Sequence, residues 1–359
     1  MKRAAILVPR LDPGDAVGND ARSQAELLNS RGWEARIFAS AWSRQTPARP
    51  VSGLKRFIRN HEDLLIHHPA SLWKEGDDAF QASPARRIIK YHNVTPASFF
   101  EAHNNDYANI CRKTREALRP LVSSAHLVLC DSTFNLEDIV LEGATRNQCK
   151  VVPPFHRLES RDWLDLDPLW VERFTRPGHP MFLSVGRIVP NKALEKCIEA
   201  LGVMQSRYGI PAKLVLAGRI DRRLGSYIRF LEKKSVEHCI PGTVIFADHV
   251  SDTRLRTLFL CAVAYLVTSE HEGFCVPVIE AMKSRLPVIA CGKTAVAETL
   301  GGQGIYTETF DAHLFASAME RLVKSKESCA IIADHASHAY ETRFHSEELF
   351  RIFLEALHE

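Results

Sequence analysis

The sequence predicts an α/β protein made of two doubly wound, mostly parallel sheets, and three observations lead there. Short apolar runs rich in β-branched residues alternate with helical patterns along the chain. The alternation restarts after a polar, proline-bearing stretch at 153–180. The 359 residues also exceed the roughly 100–200 of a single typical domain. Strands that alternate with helices pair in parallel and are covered by helices on both faces.

In the first half, strands are expected at 4–8, 34–38, 64–67, 87–92 and 127–130, with helices at 21–30 and 108–123. The first run is basic at Lys2-Arg3, apolar to Val8 and ended by Pro9-Arg10, too short for a signal peptide, so it reads as a buried strand. In the second half, strands are expected at 181–185, 213–217, 244–246, 264–267 and 287–289. Helices intervene at 193–208, 226–238, 252–261 and 278–284, and an amphipathic helix at 346–357 closes the chain. The expected domains are 1–165 with a C-terminal helix at 343–359, and 170–342. The stretch 153–180 is expected to link them.

Composition narrows the function class. A net charge of +3 and a pI of 8.3 are too mild to argue for nucleic acid as a partner. The longest apolar run, 258–267, is about half of the ~20 residues a membrane span needs, so the expectation is a cytoplasmic protein without a spanning helix. Nine cysteines without a CxxC pair read as reduced thiols, and no metal-ligand spacing is present.

In open α/β sheets, ligands bind outside the carboxyl ends of the strands, so chemistry is sought in the loops that follow strands. One such segment is Glu270-His271-Glu272-Gly273-Phe274-Cys275-Val276-Pro277-Val278-Ile279-Glu280. Pro277 suits the start of a helix, whose free N–H groups and positive dipole end suit a diphosphate. Gly273 lets backbone approach a ligand. Glu272 and Glu280, with seven residues between them, can accept hydrogen bonds from sugar hydroxyls, although each alone reads equally well as a surface charge. The second segment runs from Gly186-Arg187 to Asn191-Lys192. Gly186 makes the turn, Asn191 is expected to cap the next helix, and Arg187 and Lys192 offer cations for phosphate.

These segments, with Leu216-Ala217-Gly218 and His249-Val250-Ser251-Asp252 between them, resemble the donor site of family-4 retaining glycosyltransferases, in which the glutamate pair with seven intervening residues is a hallmark. The resemblance extends more loosely to the first half. Pro13 to Asp20, with Gly18 and Asn19, resembles the family's flexible glycine-bearing loop near acceptor and diphosphate. It is not the GxGxxG fingerprint of a dehydrogenase. Tyr91-His92-Asn93 resembles the family's histidine loop at the donor sugar, and the run to Phe99-Phe100-Glu101 is similar to bacterial polysaccharide and lipopolysaccharide enzymes. Cys275 departs from the pattern, which often has glycine there.

The resemblance implies a GT-B fold with an acceptor domain, a donor domain and a last helix crossing back to the first. It implies transfer of a sugar from a nucleoside-diphosphate sugar to an acceptor hydroxyl with retention, without a cofactor or metal. Arg187, Lys192, Glu272 and His92 carry the chemistry in that reading. Gly186, Gly218, Val250, Gly273, Phe274, Cys275, Val276 and Glu280 bind the donor, and Gly18 and Asn19 line the acceptor and diphosphate loop. The donor is a GDP- or UDP-sugar, and the acceptor a glycan, a lipid-linked group or a small molecule. The basic stretch Arg112-Lys113-Thr114-Arg115 with Arg119 offers weak peripheral contact with the inner membrane face, or is a solvated helix face. A sugar-nucleotide epimerase or hydrolase on the same fold, and a catalytically silent nucleotide-sugar-binding partner, remain as alternatives.

Overall fold

The computed structural model describes residues 2–358. Positions 1 and 359, the outer bounds of the first expected domain and of its returning helix, lie outside the described residues. The chain divides into two compact units. The first holds residues 2–98, 106–157 and 345–358, and the second holds Phe99–Asn105 and Leu158–Phe344.

The first unit contains β1 (Arg3–Leu7), β2 (Arg10–Leu11), β3 (Glu34–Ala39), β4 (Ala41–Trp42), β5 (Arg49–Pro50), β6 (Leu64–His67), β7 (Arg86–Tyr91), β8 (Leu127–Cys130) and β9 (Cys149–Val151). Its main sheet is parallel, in the order β5-β3-β1-β6-β7-β8-β9. Ile6 lies in register with Ile37 on one side and Ile66 on the other, so an apolar row crosses the sheet. Central strands covered on both faces read as continuous apolar runs, and β1, β6 and β8 do so. The helix Ser346–His358 covers part of this unit. Its buried Leu349, Phe353, Ala356 and Leu357 follow the i, i+4, i+7, i+8 spacing of one helix face. Phe353 and Phe350 pack edge-on against Phe155, with ring centres 5.3 and 5.1 Å away, and Arg86 donates to the Leu357 carbonyl at 2.5 Å.

The second unit contains β10 (Met181–Val185), β11 (Lys213–Ala217), β12 (Val244–Asp248), β13 (Ala264–Val267), β14 (Val288–Cys291) and β15 (Ile305–Thr307), all parallel in the order β12-β11-β10-β13-β14-β15. In both sheets the strand order reverses beside the first strand, between β1 and β6 and between β10 and β13. Each sheet therefore has a topological switch point, where loops from the two strands diverge and leave a crevice.

The stretch 153–180, expected as a plain linker, contains a helix, Pro168–Phe174. It starts because the Asp167 carboxylate caps the Leu169 and Trp170 amides and Pro168 presets the first turn. The loop expected at 13–20 is shorter than expected. Asp15 accepts from the Gly18 amide at 2.8 Å, so the helix Ala16–Ser30 already contains Gly18, Asn19 and Asp20. Among the described residues, no helix is long and apolar enough to cross a membrane. All nine cysteines are free thiols.

Candidate functional site

The switch point of the second sheet gathers the strongest sequence candidates. After β10 the chain turns at Gly186, whose φ of +145° lies in a region that side chains rarely adopt. After β11 it turns again at Gly218, φ +151°, and there the backbone packs against Gly186. A Cβ on Gly218 would sit 1.9 Å from the Gly186 carbonyl oxygen. Gly218 therefore sets the shape of the Gly186 turn.

Lys192 and Glu272 meet across this switch point. Lys192 Nζ pairs with Glu272 Oε1, which also accepts from Ser269 Oγ at 2.8 Å. Burial works against the Lys192 charge, but the Glu272 carboxylate outweighs it and raises the ammonium pKa above its ordinary value. The two loops are tied together by further bonds. Asn191 Nδ2 donates to the His271 carbonyl at 2.9 Å, the Glu270 amide donates to the Asn191 carbonyl at 2.9 Å, and Thr268 Oγ1 donates to the Ala193 carbonyl at 2.9 Å. Asn191 thus bridges loops and, contrary to expectation, does not cap the helix Leu194–Tyr208. The cap residue is Ala193, in left-handed conformation, and the Tyr227 hydroxyl accepts from the Leu194 amide at 3.1 Å in place of a capping side chain. Arg187 is exposed and lines a small pocket with Gly186, Lys192, Tyr265 and Ser269.

The turn after Glu272 is braced from below. Thr299 Oγ1 donates to the Phe274 carbonyl at 2.6 Å, and the Phe274 ring packs edge-on against Phe344, 5.6 Å away. Cys275 then takes φ 76°, ψ 69°, and the helix Val276–Lys283 begins directly after it with Pro277 in its first turn. This left-handed residue is where glycine would carry no strain, and a small thiol tolerates it at a cost of about 1–3 kcal/mol. The helix start turns its positive end toward the same loops as Lys192.

Glu280 is buried in that helix. Burial raises its carboxyl pKa, and Arg161 Nη1, which pairs with Glu280 Oε1, pulls it partly back. Arg161 also reaches Asp252 at 3.0 Å. Val250 is half-buried and precedes Ser251, which caps the helix Asp252–Cys261 through the Arg254 amide at 3.3 Å. Arg161, in the stretch expected as linker, was not foreseen, and no local motif signals an arginine that acts through a residue 119 positions away. The same holds for Phe99–Asn105, which packs within the second unit. Phe99 lies 6.0 Å from the His271 ring, Asn104 Nδ2 donates to the Arg223 carbonyl at 2.9 Å, and Ser226 Oγ donates to the His103 carbonyl at 3.0 Å.

His92 belongs to the first unit, at its own switch point. Its Nδ1 meets Asp131 Oδ2 at 2.8 Å and its Nε2 meets His68 Nδ1 at 2.8 Å. Lys90 pairs with the other Asp131 oxygen and donates to the Val152 carbonyl at 2.5 Å. The Asp131 pKa is lowered: burial opposes the charge, and His92 and Lys90 outweigh it. The His68 pKa is held well below its ordinary value, first by burial and then by the neighbouring His92 and Lys90 charges. Gly18 and Asn19 directly precede Asp20, which belongs to this cluster. The basic stretch is partly internal. Arg115 binds Asp138 and Glu142 at 2.9 Å each and donates to the Val94 carbonyl at 2.8 Å, whereas Arg112 and Lys113 are exposed.

Residues 171–338, which carry the Lys192–Glu272 switch point, match the family described as glycosyl transferases group 1. The segment is a glycosyl transferases group 1 domain. The chain is 30% identical over 141 residues to the O-antigen chain mannosyltransferase RfbU of Salmonella typhimurium, an alignment covering 39% of this chain and 38% of that protein. It is 21% identical over 272 residues to O-antigen chain mannosyltransferase B of Escherichia coli, covering 73% and 67%. The fold is that of Anabaena HepE, solved with UDP and glucose. The TM-score is 0.77 at 17% identity, over 99% of each chain. The architecture is thus the GT-B type.

Proposed function

We propose that the protein is a retaining glycosyltransferase that moves a hexose from a nucleoside-diphosphate sugar to an acceptor hydroxyl in the assembly of a bacterial polysaccharide. The observation that carries this reading is the Lys192–Glu272 pair at the switch point of a glycosyl transferases group 1 domain. Without donor, Lys192 is neutralised by Glu272. A diphosphate arriving between Arg187, Lys192 and the start of the helix Val276–Lys283 takes over the ammonium and releases the Glu272 carboxylate to the sugar hydroxyls. The same cations then stabilise charge on the departing diphosphate, which is the kind of preorganised electrostatic contribution that dominates many transfer reactions. Glu280 holds the ribose, with Arg161 fixing its carboxylate. His92 contacts the sugar, and the acceptor is deprotonated with help from the donor phosphate, so neither a protein nucleophile nor a metal takes part. The mannosyltransferase relatives favour mannose as the sugar, and the UDP of the HepE structure keeps a uridine donor beside a guanosine one.

The test is thermal unfolding with UDP, GDP, ADP, dTDP and CMP, each with EDTA. One nucleoside diphosphate at 100 times its Kd is expected to stabilise the fold by about 2.7 kcal/mol, and Arg187→Ala should abolish that shift. If no nucleotide shifts unfolding, or if Arg187→Ala keeps the full shift, the donor assignment fails.

A further inference from the structure

A second cluster of ligand-type atoms lies at the switch point of the first sheet. Asp20 comes from the first turns of the helix after β1, His68 follows β6, and His92 follows β7. Sequence spacing could not show them together, because they lie far apart in the chain and form no local motif.

Each of the two histidines holds one ring nitrogen on an outer partner and turns the other inward. Asp131 is an acceptor, so His92 Nδ1 donates to it at 2.8 Å. His68 Nε2 meets the Gln24 side-chain amide at 3.2 Å. The inner nitrogens, His92 Nε2 and His68 Nδ1, face each other across 2.8 Å, the separation of a hydrogen bond in which one ring nitrogen donates and the other accepts. The third group points the same way. Asp20 Oδ1 accepts from the Phe155 amide at 2.9 Å, but Asp20 Oδ2 is buried without a hydrogen-bond partner, 3.5 Å from His92 Nε2.

We propose that Asp20 Oδ2, His68 Nδ1 and His92 Nε2 form a binding site for a divalent transition ion of the zinc class, and that filling it withholds His92 from the donor sugar. Only the second part rests on the transferase reading. Bonds of ~2.05 Å at tetrahedral angles separate ligand atoms by about 3.3 Å. The Asp20–His92 distance of 3.5 Å already matches, and the two imidazoles need to part by only about half an ångström. Asp131 behind His92 and Gln24 behind His68 are the partners that orient histidine ligands in metal sites. Lys90 already offsets the Asp131 charge, which leaves Asp20 to favour the cation. His92 is 11% exposed, so the fourth position opens to solvent, as in sites with three protein ligands and an exchangeable one.

The experiment is titration of the full chain with Co²⁺ and Zn²⁺. Cobalt is expected to bind one per chain with the visible absorption of a tetrahedral site and to be displaced by zinc. His68→Ala should remove that band, and Gln24→Ala should weaken binding about 10–100-fold. Asp20→Asn keeps the Phe155 bond and guards against a folding artefact, and it should also lose tight binding. A band that survives both His68→Ala and Asp20→Asn, or no band in the unaltered protein, overturns the site. In a transfer assay, zinc should inhibit the unaltered protein and spare His68→Ala. Equal inhibition of both overturns the sequestration of His92 while leaving the metal site to the spectroscopy.

Discussion

Replacing Lys192 with methionine tests how firmly the two switch-point loops are held. In the unaltered protein the Lys192 and Glu272 side chains are 17% and 12% exposed, and Ser269 gives Glu272 its one further hydrogen bond. Lys192→Met leaves the carboxylate desolvated with Ser269 alone, a change that costs about 3–5 kcal/mol. For a unit of this size each kcal/mol shifts Tm by about 2–4 °C, so Tm is expected to fall by about 6–20 °C. Glu272→Gln strands the ammonium at a similar cost. The double variant buries neither charge, and replacing a buried pair by uncharged groups is often neutral. A cycle of four denaturation curves should therefore show a coupling of about 6–10 kcal/mol, the sum of the two single costs, well beyond the ~0.5 kcal/mol error of additive sites. The pH dependence has a definite sign. The Lys192 pKa is raised in the fold, so its contribution is complete below 10.5 and is lost as pH climbs through the higher folded value. Lys192→Met should flatten that alkaline limb. Single costs that simply add, or an unchanged alkaline limb, would refute the reasoning.

Gly218→Ala places a methyl group 1.9 Å from the Gly186 carbonyl at a φ of +151°. Strain of about 1–3 kcal/mol and a comparable packing cost predict a loss of about 2–6 kcal/mol, together with weaker nucleotide binding. Thermal unfolding with and without nucleotide checks both, and an unchanged Tm contradicts the close approach. Arg115→Ala removes the partner of Asp138 and Glu142 and should cost about 3–5 kcal/mol, whereas Arg112→Ala on the exposed face should stay within about 0.5 kcal/mol. Parallel denaturation of the two variants separates the internal arginine from the solvated one.

The strands were legible because buried parallel strands are continuous apolar runs. Leu64–His67, Leu127–Cys130, Met181–Val185, Lys213–Ala217 and Ala264–Val267 fall where the sequence puts them. The helix Lys326–Arg343 was illegible for the opposite reason. It buries mainly Ala333, Ala336, Ala339 and Tyr340, and small residues leave little periodic contrast. The glutamate spacing and the Gly186–Lys192 loop marked the donor candidates because they lie in short contiguous motifs. What those residues bind could not be read, because partnerships such as Arg161–Glu280, Asn191–His271 and Asp20–His92 join distant parts of the chain. The Asn191 cap failed because its amide found the His271 carbonyl, a partner that exists only once the two loops meet.

The placement of the helix Ser346–His358 bears on how the protein is made. Leu349, Phe353 and Leu357 complete the apolar cover of a unit whose other residues all lie before residue 158. While the ribosome is still adding residues 158–344, that unit has its sheet but lacks the side chains that bury Phe155. Domains tend to fold as they emerge, so the second unit, nearly continuous in sequence, can close before the first. Of the two units, the one begun earlier thus becomes the last to mature, and its apolar seam stays open to chaperones or aggregation until the final helix arrives.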